Sequence, residues 1–120
     1  MLPSKQLYDI LHEVEFFKDA KIFLFDVPQK EIRVQKIPLL RVTELSGDSE
    51  WASNLPVTYN GLVQLDIWDT KLSRIEEYYF EIDKILAERG FNVVTTLLDY
   101  DEEIENCPRT IKRYAKQVQL

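Results

Sequence analysis

The densest run of reactive side chains in this 120-residue chain is Asp99, Asp101, Glu102, Glu103 and Glu105, a set of carboxylate oxygens of the kind hard cations bind. The run lacks the ligand spacing and the turn glycine of an EF-hand, so it reads as a solvated acidic loop. His12, with Glu13 and Glu15 beside it, offers residue types used in acid–base catalysis. Its position opposite Leu7 and Leu11 puts it on the polar face of a helix, as a surface histidine. Cys107 is the only cysteine, which excludes an intrachain disulfide and a cysteine-based zinc site. No base is placed by spacing to activate it, so a partly buried structural thiol is expected. Neither a G-x-G-x-x-G run nor a Walker-type glycine loop occurs. Tyr78, Tyr79 and Phe80 resemble a stacking platform, but Tyr79 falls on a helical stripe and core packing accounts for it better. These residues give no catalytic, cofactor-binding or metal site, and the chain is not expected to be an enzyme.

Two further groups suggest contacts with other macromolecules. Arg109, Lys112, Arg113 and Lys116 lie on the last apolar-polar segment. The chain as a whole carries 21 acidic and 15 basic residues, a net charge of −6, which disfavours holding a phosphate backbone. With acidic residues just upstream, the four cations are expected to form salt bridges within or between subunits. Trp51 and Leu55 fall in a stretch, 46–56, rich in Gly, Asp, Ser, Asn and Pro, which reads as a long surface loop. A tryptophan there either anchors a contact with a neighbour or folds back on its own sheet.

The elements that would position these groups follow from periodicity. Ser4 is expected to cap a first helix carrying Leu7, Ile10, Leu11 and Val14 and ending near Phe16 or Phe17. Lys21–Phe25 reads as a strand stopped by Val27-Pro28, and the charged residues Gln29 to Lys36 as a connection, with Ile32 and Val34 able to extend a hairpin arm. A second strand, Leu39–Leu45, is expected to end at Ser46-Gly47-Asp48. Val57 to Trp68 is strand material in which Asn60-Gly61 marks either a hairpin turn or a bulge. Beyond it, Val63, Leu65 and Ile67 alternate with Gln64, Asp66 and Trp68. Asp69 or Thr70 should cap one helix with Leu72, Ile75, Tyr79, Ile82 and Leu86 on its stripe, Tyr78 and Ile85 widening it, and Gly90 ending it. Phe91–Leu98 and Thr110–Val118 complete the set. The order α-β-β-β-α-β-β predicts a single α+β domain over 1–120, an antiparallel or mixed β-sheet with two α-helices packed on one face. No apolar run approaches the ~18 residues that span a bilayer, and no charged leader precedes an apolar segment, so a cytoplasmic origin is expected.

One order of features is distinctive: Ile37-Pro38-Leu39-Leu40-Arg41-Val42, then the loop, then Tyr59-Asn60-Gly61-Leu62-Val63-Gln64-Leu65-Asp66-Ile67-Trp68, a helix, Arg89-Gly90-Phe91, and a last strand with Arg113-Tyr114. From about residue 5 to 118 it resembles the tail terminator, or tail completion, proteins of long-tailed bacteriophages of Gram-positive hosts. The resemblance implies a virion structural protein, assembled in the host cytoplasm, that forms a homo-oligomeric ring, commonly a hexamer. Such a ring caps the tail tube protein, ends tube polymerisation and meets the head completion or connector protein, while DNA passes through its lumen without being bound. It implies no cofactor and no membrane. Trp51, Leu55, Asp101, Glu102, Glu103, Arg109, Lys112, Arg113 and Lys116 are then the expected subunit or tube contacts, since ring interfaces join two different surfaces. The alternatives are a head–tail connector subunit and a stand-alone α+β domain that binds a small ligand between sheet and helices.

Overall fold

The computed structural model describes residues 1–25, 38–100 and 107–120. The order is α1 (Pro3–Leu11), a 3-10 turn (Glu15–Phe17), β1 (Lys21–Leu24), β2 (Leu39–Ala52), β3 (Leu55–Trp68), α2 (Leu72–Tyr78), α3 (Glu81–Ala87), β4 (Phe91–Tyr100) and β5 (Pro108–Gln119). The strands form one sheet in the order β1-β2-β3-β5-β4. Only β1 with β2 is parallel; the other three pairings are antiparallel. The protein is therefore α+β with a mixed sheet.

Alternation along the register sorts the side chains. Leu40, Val42, Val63, Leu65 and Ile67 join Phe91 and Tyr114 in one cluster with Leu7, Ile10 and Leu11 of α1, Ile75 and Tyr78 of α2 and Ile82 and Leu86 of α3. Gln64, Asp66 and Trp68 alternate with these, as the sequence predicts, and a smaller cluster of Leu39, Trp68 and Cys107 includes the last of them.

Local structure departs from the sequence expectation at five places. Helix α1 starts at Pro3, with Leu2 in the capping position, and ends at Leu11 well short of Phe16. Proline suits the first helical turn because it lacks an N–H that would be unsatisfied there. Ser4 is not the cap; its backbone N–H donates to the Glu44 carboxylate at 3.0 Å, a tertiary substitute for one.

Residues 46–56 do not form a loop. β2 and β3 continue through them as a hairpin arm closed by Ser53-Asn54, with φ of +50° and +66°. Two central residues with positive φ twist the chain in the sense the strands require. Asn60-Gly61 is neither turn nor bulge but lies inside an unbroken β3, with Gly61 opposite Gly47. The register shifts come instead between Glu44 and Ser46 and between Glu50 and Trp51. A Cβ on Gly61 would lie 2.7 Å from Pro3 Cγ, so the bare backbone is what admits the start of α1.

The single helix expected after Asp69 is two, with Tyr79 and Phe80 between them. Lys71 occupies the cap position of α2, and Asp69 Oδ1 accepts the Lys71 N–H at 3.1 Å. Leu72, expected on the buried stripe, is exposed, and Tyr78 is fully buried in its place. Gly90, at φ +86°, ends α3 as expected. The residues Gln29 to Lys36, including Ile32 and Val34, lie outside the described residues.

Candidate assembly surface

The hairpin arm runs beyond the rest of the sheet. β1 covers β2 only over Leu39–Val42, and β5 stops pairing with β3 at Thr58–Gln119. Beyond that level the arm is two strands and a turn. Trp51 pairs with Pro56 and Ala52 with Leu55 in register, which puts Trp51 and Leu55 at the tip on opposite faces of the ribbon. They are 65% and 66% exposed, so neither folds back onto its own sheet. Val57 adds further exposed apolar surface there. Exposed large apolar side chains on a projecting element make it a candidate interaction site.

A second surface lies at the other end. Among the described strands β4 lies at the edge opposite β1, and over Phe91–Leu98 it carries no charge and no proline. Val93, Val94, Leu97, Leu98 and Tyr100 are exposed on it. Edge strands usually carry lysine, proline or a bulge that blocks strand addition, and β4 has only the register shift between Val93 and Thr95. Beside it, Leu72, Ile75, Glu76, Tyr79, Phe80 and Leu98 line an open groove of about 300 Å³. Phe80 at the break between the two helices is 69% exposed on its rim. Sequence reasoning missed this surface. The signal was present: an uncharged, unalternating run in β4, and a phenylalanine that did not fit the helical stripe.

The four cations of the last strand divide by face. Lys112 and Lys116 point to the helical side. Lys112 is fully buried and donates to Asp83 Oδ2 at 3.1 Å and Thr96 Oγ1 at 3.4 Å, with the Tyr79 ring 4.6 Å away. It therefore offers nothing to a neighbour, a correction to its expected place at an interface. An alternating strand puts every second residue inward, whatever its charge, and here α3 brings the counter-charge. Lys116 donates to the Arg89 carbonyl at 2.8 Å over the Phe91 ring.

Arg109 and Arg113 belong to a network on the other face. Asp66, fully buried, accepts from Arg41 Nε and Nη2 at 3.2 and 3.0 Å and from Gln64 Nε2 at 3.1 Å. Arg109 lies 4.0 Å from Asp66, and Arg113 Nε donates to Gln64 Oε1 at 3.0 Å. The Arg41 and Arg109 guanidinium carbons stand 5.3 and 5.8 Å from the Trp68 ring centroid, so two cations share one aromatic ring and one carboxylate. Asp101, Glu102 and Glu103 lie outside the described residues.

His12 is exposed, its Nδ1 2.8 Å from the Tyr8 carbonyl. Cys107 is buried with Leu39 and Trp68. Of the aromatic trio, Tyr78 is core, Tyr79 half-buried and Phe80 exposed. Burial, above all, raises the pKa of Tyr78 and Tyr114; a second contribution for Tyr114 is its hydrogen bond to Asp83. The same desolvation lowers that of Lys112, against the opposing pull of Asp83. Among the described residues no group of three or more His, Cys, Asp or Glu is placed to hold a metal ion. No described helix is long and apolar enough to cross a membrane.

Comparison with protein-family models and with curated proteins finds no match for this chain.

Proposed function

We propose that this protein is a virion structural subunit of a long-tailed phage, a tail terminator that assembles with copies of itself into a hexameric ring on the end of the tail tube. There it ends tube polymerisation and presents a joining surface to the head completion protein. The observation that carries the reading is the pairing of two dissimilar exposed apolar surfaces on one small chain: the hairpin tip around Trp51 and Leu55, and the edge strand β4. Surfaces that differ associate head to tail, and head-to-tail contacts close into rings or run on as filaments. The net charge of −6 suits a lumen through which DNA slides, because no phosphate is neutralised and no counterion released.

The test is negative-stain imaging of the protein alone and after mixing with tail-tube subunits. Rings, or tubes capped at one end and uniform in length, are expected. A compact species that leaves tube growth unaltered would remove the reading.

A further inference from the structure

We propose that the hairpin tip of one copy seats in the groove between α2 and β4 of a second copy, Leu55 entering between Leu72, Phe80 and Leu98. This rests on the self-assembly reading above and names the contact that builds the ring.

Three observations favour a second copy as the occupant. The first is distance. Leu98 is level with Thr110 and, across β5, with Ile67. Leu55 stands at the far end of the same strand β3, roughly 40 Å away at ~3.3 Å per residue. A molecule whose long axis is 52 Å cannot bring its own tip to its own groove. The second is charge. Between Arg41 and Lys71 the chain has no lysine or arginine, and Asp48 and Glu50 are exposed on the arm. Lys71 is exposed and precedes Leu72, which lines the groove, although Glu76 lines it too. The third is size. A tip of one tryptophan, one leucine and one valine covers a few hundred Å² at most, below the ~800 Å² per partner of a stable pair. Such a contact holds weakly one at a time and firmly when ring closure makes several at once. The free chain is then a monomer that assembles steeply with concentration or on a template.

The experiment is disulfide trapping between N54C at the turn and F80C at the groove, in the full chain, with one variant tagged to migrate differently. Cys107 is fully buried and stays out of the reaction. Mixing the two single variants under mild oxidation should give the mixed dimer in excess over both homodimers. The double variant should give a ladder of higher oligomers, because each chain offers both ends. L55D, at a solvent-exposed position, should lower the mixed product at least tenfold with the far-UV spectrum and melting temperature unchanged, and K71E several-fold. Absence of the mixed product, or Asn54–Asn54 homodimers in excess, overturns the inference. If rings are imaged but the mixed dimer is absent, the tip-to-groove contact is wrong and the ring stands. If the ladder forms without rings or capped tubes, the contact stands and the terminator reading fails.

Discussion

Replacing Asp83 by Ala would strip a buried ammonium of its carboxylate partner. Lys112 Nζ lies 3.1 Å from Asp83 Oδ2 with its side chain fully inaccessible, and Tyr114 Oη donates to Oδ1 at 2.7 Å. Asp83 thus joins α3 to β5 through one charged pair and one charge-assisted hydrogen bond. Breaking a buried pair by removing one partner typically costs about 3–5 kcal/mol, because the remaining charge stays desolvated. The Asp83 side chain is itself 20% exposed, so water can reach the vacated site, which places the loss near the low end, about 3 kcal/mol. At this chain length, that corresponds to a fall in Tm of roughly 10–15 °C. Lys112→Met should cost less, about 1–2 kcal/mol. It removes the buried charge, keeps the methylene packing and leaves Asp83 with Tyr114 and solvent. The double variant should fall well short of the sum, with a coupling of at least 1 kcal/mol. Urea denaturation followed by far-UV circular dichroism reads all three. If Asp83→Ala costs under about 1 kcal/mol, or if Lys112→Met costs as much, then Lys112 does not depend on Asp83 and the reasoning fails.

The remaining predictions concern pH, close packing and the open face. Tyr78 and Tyr114 have pKa values raised above the ordinary 10.0, so the unfolded chain releases their protons first and stability is lost as pH rises above about 10. With two protons involved the slope is up to about 2.7 kcal/mol per pH unit, partly offset just below pH 10.5 by Lys112, whose pKa is lowered and whose contribution runs the other way. Tyr114→Phe should reduce this alkaline slope, measured as urea midpoints between pH 9 and 11. Gly61→Ala should cost about 1–3 kcal/mol and loosen the start of α1, because the added methyl meets Pro3; hydrogen exchange at Gln6 and Leu7 would report it. Asp66→Asn should destabilise by about 2–4 kcal/mol, since Arg41 and Arg109 would then share a neutral acceptor beside Trp68, and an unchanged melting curve would remove the network from the account. Trp51→Ala should leave stability within about 0.5 kcal/mol, as befits an exposed tip, while weakening assembly in sedimentation runs.

The sequence by itself determined most of what depends on short-range periodicity. Val63, Leu65 and Ile67 against Gln64, Asp66 and Trp68 specify a strand and its two faces, because side chains alternate with a period of two. The stop at Gly90 was legible because a residue at φ +86° strongly favours glycine. So was the α+β class, since helical and strand periods occur in separate blocks.

Tertiary structure decided the rest. Ser46 to Ala52 has the composition of a loop, yet pairing with β3 supplies the backbone hydrogen bonds that make it strand. The turn then falls on Ser53-Asn54 and not on the stronger local signal Asn60-Gly61, whose glycine is needed where α1 crosses. The break between α2 and α3 is invisible to a stripe that reads Ile75 through Leu86 without a gap. Lys112 shows the same limit in the site. Its place in an alternating strand gave the face, but whether that face met solvent or Asp83 depended on where a helix 29 positions earlier came to rest. The edge position of β4 is likewise a property of strand order, and strand order is set by long-range pairing that local sequence does not encode.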